Sequence, residues 1–565
     1  MGEKIFNNND LLTIDSKSSI NDYFRGKSIL ITGATGFCGK VILAKLFDSL
    51  DIIKKIYVLI RPKNGIRGAE RFEKMINDRP FSLRPISTSL IHKIRVIEGD
   101  AIEKNLGLTE NETNELISHV NLIIHVAASV KFIATVRYNM QHNVYSAKIL
   151  VDLASKMEKL DCFVYVSSAY SNCHLMEIDE KLYPLKIPFQ EIINLFRILS
   201  DETAEKVAQE LFEGRPNSYV FSKAVAEHVV HSLTKYNKVV SIVRPSIVAP
   251  SFEFPVPGWV DSINGPMSLA LLWCTGLMCV LDYDFVTTTD FVPVDVVAYG
   301  VLATPWFMSK SNTNFKIFNL VRKDFIKGDW DSYEFLKAGQ RSFMKAPPSI
   351  VMRPNHKPYR FNARPRWKYL IERFFYHIVY AFLLDIIIFI LGHRPLLLRN
   401  VKKMHAAVDA MKYFGDHQWE FRSENTLEMI RSMSHADLAE YKVSKRSLSC
   451  SDICDIFWMG TRRYILKQSE KSIKTAKKRY LISIFVYRIF LAIILYHITQ
   501  LMWPFFSGIL PDFFCRKIFA ISVCCIAIAR DLHLLVPLLS KEPCYDLINS
   551  GKIIKKLQND ESKDE

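Results

Sequence analysis

KSILITGATGFCGKVILAKL, residues 27–46, runs from a short stretch rich in Ile and Leu through a glycine turn into a segment that reads as helix. A strand buried on both faces of a parallel sheet looks like this first stretch, because it needs no polar alternation. The turn that follows is Thr32-Gly33-Ala34-Thr35-Gly36-Phe37-Cys38-Gly39. Gly33 permits a tight turn, Gly36 lets the backbone approach a pyrophosphate, and Gly39 lets helix and strand pack closely, so that phosphates rest on the helix N-terminus. Thr32, Thr35 and Phe37 lie in the same turn and join these glycines as candidate cofactor contacts. A bare glycine trio means little; a strand before it and a helix after it give it weight.

Outward from this turn, apolar runs alternate with helical stretches. A helix is predicted over 40–49, a strand in KKIYVLIRPK, a helix near 67–77, and further strands in KIRVIEGD, VNLIIHVAAS, DCFVYVSSAY and KVVSIVRPSIV. Strands alternating with helices predict an α/β fold with a doubly wound, parallel, Rossmann-type sheet. The second strand ends in Leu59-Ile60-Arg61-Pro62-Lys63, where an NAD-specific fold carries an acidic residue for the ribose hydroxyls. Arg61, with Lys63, suits the 2′-phosphate of NADPH instead; a solvated basic strand end is the plainer reading. Asp100, closing KIRVIEGD, suits either the adenine amino group or a turn.

Tyr219-Val220-Phe221-Ser222-Lys223 places a phenol and an ammonium four residues apart, on one helix face. The ammonium can favour the tyrosinate and also hold a nicotinamide ribose. Ser167-Ser168 close a predicted strand upstream, and Ser168 supplies a hydroxyl to share a substrate oxygen. The order glycine turn, Ser168, Tyr219, Lys223 is far more specific than the Tyr/Lys spacing alone. His125 and Asn143 read first as satisfied core residues, and Cys524-Cys525 as small hydrophobes.

A chain of 565 residues exceeds one ordinary core, so a large catalytic domain and a smaller unit are expected. The net charge of +16 suits an anionic partner such as a nucleotide, CoA phosphates or a lipid surface. No nucleic-acid partner is expected. Eleven cysteines without a CxxC pair or a Cys/His grouping support neither a disulfide framework nor a metal site, so no metal is expected. MGEKIFNNND lacks the basic and apolar regions of a secretory signal, which predicts a catalytic domain facing the cytosol. The apolar stretch 378–391, interrupted by Asp385, is short for a membrane span and reads as a buried or membrane-surface helix. The basic segment KQSEKSIKTAKKRY precedes two apolar blocks, 489–506 and 518–529. The first is long enough to cross a bilayer and Arg530, Asp531 and Pro537 break the second, predicting one span plus a re-entrant or interfacial piece, with core helices as the alternative. The expected division is a tail over 1–25, a catalytic domain over 26–320, a linker over 321–366, a helical domain over 367–467, a basic segment and membrane anchor over 468–540, and a charged tail over 541–565.

In these motifs the chain resembles the fatty acyl-CoA reductase family and, more distantly, the extended short-chain dehydrogenases and the reductase domains of carboxylic acid reductases. LITGATGFCGKVILAKL, KKIYVLIRPK, HVAASVKF, FVYVSSAY, RPNSYVFSKAVAE, VVSIVRPSIV, PGWVDSINGP and DFVPVDVVA carry the likeness, joined by ILGHRPLLLRNVKKMH and DIFWMGTRRYILK in the helical region. The resemblance implies Gly33, Gly36 and Gly39 at the cofactor phosphates, Arg61 at the NADPH phosphate, and Ser168, Tyr219 and Lys223 in catalysis. Ser168 stands where the family commonly has Thr, Cys38 where it has Leu, and Lys131 where it has Arg. Tyr376-His377 stands where the family often pairs two histidines. The implied activity is reduction of a long-chain fatty acyl-CoA to a fatty alcohol with two NADPH, through an aldehyde-level intermediate, releasing CoA. The implied setting is a lipid membrane, of endoplasmic reticulum or peroxisome, with oligomeric state open and a homo-oligomer included. The rivals are a related enzyme acting on a sterol or nucleotide-sugar hydroxyl, and a non-catalytic membrane protein that binds NADPH.

Overall fold

The computed structural model describes residues 19–506 except 88, 263–265, 284–286, 329, 352–364 and 444, together with 521–522. The main sheet is built from β1 (Ser28–Thr32), β2 (Lys55–Ile60), β3 (Ile94–Glu98), β4 (Leu122–His125), β5 (Cys162–Val166), β6 (Val240–Pro245) and β7 (Phe315–Leu320). Every pairing is parallel and the order is β7-β6-β5-β4-β1-β2-β3. The order reverses direction between β1 and β4, which opens a crevice at the carboxyl ends of the strands, the usual ligand position of such sheets. In register, Thr32 lies beside Leu59 on one side and His125 on the other.

The expected strands all form: β1, β4, β5 and β6 are buried throughout, whereas β3, at the sheet edge, is only half-buried. The strand β7 was not among the expected ones. Lys316 and Asn319 interrupt its apolar run, and the buried Asn319 is made tolerable by tertiary partners, its side-chain amide donating to the carbonyls of Ile178 (3.3 Å) and Arg422 (2.7 Å). Flanking helices include α1 (Phe37–Asp48), α2 (Gly68–Asn77), α3 (Ser146–Ala154), α4 (Ser218–His231) and α5 (Val294–Ser309). The last is apolar all round and almost wholly buried, packed on α1, as a helix hydrophobic on every side must be.

The chain forms two compact units and passes between them more than once. The first holds residues up to 256, 290–327 and 419–446; the second holds 257–289, 328–418 and the chain from 447. The helical domain expected over 367–467 is therefore shared between the two units, with 419–446 in the first. Trp419 Nε1 donates to the Cys173 carbonyl (2.9 Å), Glu420–Phe421 pairs in parallel with Glu177–Ile178, and the Glu180 carboxylate accepts from Asn319 N–H (2.7 Å) and the Thr426 hydroxyl (2.8 Å), so this piece completes the first unit.

In the second unit, α6 (Ser332–Lys345) occupies part of the expected linker over 321–366. It packs on α9 (Cys450–Gly460), where Phe343 meets Trp458 edge-on at 5.5 Å and Lys345 pairs with Asp455 at 3.2 Å. Between them in sequence lie α7 (Arg366–Ile390) and α8 (Leu397–Asp416), and α10 (Ile473–Phe506) closes the described helices. The stretch at 378–391 is therefore not a short buried helix. It is the second half of the 25-residue α7, which passes through a π-turn at Phe374–Val379 and is 11% buried over its most apolar window. By length and composition α7 could cross a membrane. The block at 489–506 continues α10, whereas most of 518–529 lies outside the described residues.

Candidate active site

The glycine turn leaves β1 at the crevice. Gly33 has φ +76°, and a Cβ there would stand 2.5 Å from Ala127 N, in the segment leaving β4. Gly39 is tighter still, since its Cβ would fall 2.1 Å from the Gly33 carbonyl oxygen. Gly36, the N-cap of α1, has extended backbone and no side-chain cap; a Cβ would meet only the Gly33 oxygen, at 3.2 Å. The turn thus brings bare backbone to the start of a twelve-residue helix, a cradle suited to a pyrophosphate. Thr35 and Phe37 are half-buried in it. Thr32 is buried and its hydroxyl is engaged with His125 Nδ1 (2.7 Å), so its side chain serves the sheet rather than the crevice. Burial, and then the Lys223 ammonium, hold the His125 pKa down at about 3, so the imidazole is neutral; its Nε2 is buried without a hydrogen-bond partner, so it is not the fully satisfied core residue expected.

Tyr219 and Lys223 lie one turn apart on α4, both buried. Asn217 caps this helix, its Oδ1 accepting from Val220 N–H (3.0 Å). Ser168 follows β5, its hydroxyl accepts from Tyr170 N–H (3.2 Å), and it interacts with the Tyr219 phenol, acting to lower its pKa. Ser167 points elsewhere, donating to Glu227 Oε1 (2.6 Å). The choice of Ser168 over its neighbour is thus a matter of which hydroxyl faces the tyrosine. Cys38, on the first turn of α1, interacts electrostatically with both Tyr219 and Lys223, which ties this group to the glycine turn.

The expected acidification of the phenol is not found. Burial pushes the Tyr219 pKa up to about 12, against the opposing Ser168 hydrogen bond, and burial brings Lys223 down to about 7 against the pull of Glu227. The Lys223 ammonium donates to the Val166 carbonyl (2.8 Å) and the Tyr165 hydroxyl (3.3 Å). Tyr219 is accordingly a protonated donor at neutral pH. Behind them Glu227 meets Arg244 at 2.6 Å, both side chains buried; burial alone would raise its pKa, but the guanidinium and the Ser167 and Ser171 hydroxyls bring it below the ordinary carboxylate value. Asn143, in a π-turn at Met140–Tyr145, accepts from Ser129 N–H (2.7 Å) and donates to the Ser222 hydroxyl (2.9 Å), so it braces α4.

At the end of β2, Arg61 and Lys63 are exposed, and Arg61 pairs loosely with Asp100 at 3.5 Å. Asp100 also accepts from Ile102 N–H (3.3 Å), a turn role. Sequence reasoning missed Arg71 on α2, whose Nη1 donates to the Arg61 carbonyl and whose pKa is lowered by burial and by the Arg61 guanidinium. Its position in the first helix after a basic strand end was the available signal. Among the described residues no group of three or more His, Cys, Asp or Glu side chains could hold a metal ion.

A seven-stranded parallel sheet with this turn, a Ser/Tyr/Lys group and a crevice between β1 and β4 defines a nicotinamide-dinucleotide oxidoreductase of the Rossmann type. Residues 31–301 and 376–468 match two family patterns, each described as "Male sterility protein". Fatty acyl-CoA reductase 1 of Xenopus laevis is 31% identical over 468 residues, 81% of this chain and 88% of that protein. Fatty acyl-CoA reductase 1 of Rattus norvegicus is 31% identical over 513 residues, 86% of this chain and 98% of that protein. The chain belongs to the fatty acyl-CoA reductase family. Among solved structures, the reductase (R) domain of a non-ribosomal peptide synthetase from Mycobacterium tuberculosis shares the fold, with TM-score 0.52 and 15% identity over 80% of this chain and 98% of that one. The terminal R domain from the myxalamid PKS-NRPS pathway does so with TM-score 0.51 and 19% identity over 77% and 90%.

Proposed function

We propose that this chain reduces a long-chain fatty acyl-CoA to the fatty alcohol with two NADPH, through an aldehyde, releasing CoA. The observation that carries the reading is the buried grouping of Ser168 with Tyr219, whose hydroxyls interact, with Lys223 one turn along α4 and the first turn of α1 acting on both. The residues fit the cofactor: Gly33 and Gly39 occupy places a Cβ would fill, Gly36 leaves the helix start bare, and Arg61 and Arg71 bring two guanidinium groups to the end of β2. Thr35, Phe37 and Asp100 would line the nucleotide, with Lys63 at the outer edge. NADPH, when bound, supplies hydride to the substrate carbonyl carbon.

Tyr219, as a protonated phenol, donates to the oxygen that gains charge, and Ser168 shares that oxygen. Lys223 would hold the ribose and keep the tyrosine oriented. The thioester, having taken a hydride and a proton, is a hemithioacetal. Its carbon–sulfur bond breaks to give the CoA thiol and an aldehyde, which takes a second hydride and proton at the same group to become the alcohol. The names of the relatives support the acyl-CoA substrate.

The full chain in membranes, given palmitoyl-CoA, is expected to consume NADPH and yield hexadecanol by chromatography. Tyr219→Phe lowers that rate by about 10²–10⁴-fold while leaving NADPH binding intact. No acyl-CoA-dependent oxidation by the unaltered chain sinks the reading. The same reading sets the chain on an endoplasmic reticulum or peroxisomal membrane with the catalytic unit toward the cytosol. Exposed Ile482, Phe485, Val486 and Ile493 on α10, following Lys474, Lys477, Lys478 and Arg479, support the membrane part.

A further inference from the structure

We infer that the outer face of α7 lies flat on an anionic lipid surface, as an in-plane docking helix rather than a span. This goes beyond the reductase reading and does not depend on it. One stripe of α7, at four-residue spacing, is built into the second unit. Tyr369, His377, Ala381 and Asp385 are buried, and Arg373 makes a two-point ion pair with Asp409 (2.8 and 2.9 Å). His377 Nε2 accepts from Cys279 N–H (2.9 Å) and its Nδ1 hydrogen-bonds His405 Nε2 (2.9 Å). Asp385 accepts from the amides of Leu396 (3.1 Å), Leu397 and Leu398 (both 2.9 Å), satisfying the start of α8. Drawing α7 across a bilayer would break each of these bonds and carry Arg373 and Asp385 toward hydrocarbon. Its length and composition permit a span; its polar stripe forbids one.

The opposite face has the reverse character. Leu370, Phe374, Phe382, Ile386, Phe389 and Ile390 are 40–75% exposed, a continuous apolar surface of the kind that marks an interaction site. Exposed bases sit around it: Arg366 and Lys368 near its start, Arg394 just past its end, and Arg399, Lys402 and Lys403 on α8. An apolar face rimmed by basic side chains is the pattern of a helix that beds into the boundary between headgroups and acyl chains, with Lys and Arg drawn to anionic phosphates. A second copy meeting this face by two-fold symmetry would set the same bases against each other, which selects the lipid as occupant.

The test uses the full chain mixed with phosphatidylcholine vesicles, with and without phosphatidylserine, carrying a phospholipid with a diazirine in its acyl chain. After illumination, peptide mass spectrometry is expected to find lipid adducts on Phe374, Phe382 and Phe389 but not on Tyr369 or His377, with more adducts when phosphatidylserine is present. Reversing the rim charges (Arg394→Glu, Arg399→Glu and Lys402→Glu together) is expected to lower the α7 adducts about tenfold while the thermal unfolding midpoint stays put. Adducts around the whole circumference, Tyr369 and His377 included, would mean a span and overturn the inference. So would an α7 without adducts whose photo-leucine cross-links run to residues 507–565 or to a second copy. Because lipid adducts are read without any turnover, failure here and failure of the acyl-CoA reading are distinguishable.

Discussion

Arg71 shows how much a single side chain can add to a specificity argument. Two guanidinium groups held near one another repel, and the shared Arg61 carbonyl contact keeps Arg71 close to Arg61. A dianionic phosphate between them would relieve that repulsion through charge-assisted hydrogen bonds. Arg71→Ala is therefore expected to raise the KM for NADPH about tenfold while moving the KM for NADH little, in steady-state kinetics with both cofactors. An equal effect on the two would show that Arg71 only supports the strand end. At the same scale, the pKa of Tyr219 corrects what spacing alone suggested. Four residues put Lys223 on the same helix face as the phenol, but its ammonium is engaged by the Val166 carbonyl and the Tyr165 hydroxyl, and burial keeps the proton on the Tyr219 oxygen.

At the scale of elements, the β1–α1 joint and the α7–α8 pair are each held by a few contacts whose failure can be measured. A Cβ at Gly39 meets backbone on two sides, the Gly33 oxygen at 2.1 Å and Ala34 Cα at 2.8 Å, and backbone cannot swing aside as a side chain can. Gly39→Ala is expected to cost about 3 kcal/mol or more and to weaken NADPH binding, checked by chemical unfolding and cofactor titration. Between α7 and α8, the Cys279 N–H on His377 Nε2 places the His377 proton on Nδ1, which donates to His405. Burial, then Arg373, lowers the His405 pKa to about 4 from the ordinary histidine value of 6.5, with Asp409 opposing. Between those two values the unfolded chain binds more protons than the folded one, so stability rises with pH across this window and is lost as pH falls through it. His405→Gln, which can still accept from His377, is expected to flatten that dependence. Thermal midpoints from pH 4 to 6.5 measure it.

The whole molecule is not laid out in the order of its sequence. Residues 257–289 leave the first unit and 419–446 return to it, so a cut between a catalytic and a helical domain at one point in the chain separates neither. A chain ending at Gln418 would lose the partner of Glu177–Ile178 and leave the Glu180 carboxylate without Thr426 in a setting where burial already raises its pKa to about 7. Such a chain is expected to be insoluble or to melt well below the full protein, by thermal scanning of the purified material. The strand runs, the glycine turn and the Ser168, Tyr219 and Lys223 group were legible because each depends on residues close together in sequence or on a known order along it. Arg71 and β7 were not, because one matters through a neighbour across a strand end and the other through partners more than one hundred residues away.

By itself the sequence determined the parallel sheet, the glycine turn at the start of α1 and the placing of Tyr219 and Lys223 on one helix face, since period, glycine spacing and helix geometry act over a few residues. Only the tertiary structure decided which serine faces Tyr219, that the phenol keeps its proton, that residues 419–446 join the first unit, and which stripe of α7 is turned inward. Those outcomes are set by burial and by contacts between distant segments, and the free energy of a buried group depends on what surrounds it rather than on what adjoins it in the chain.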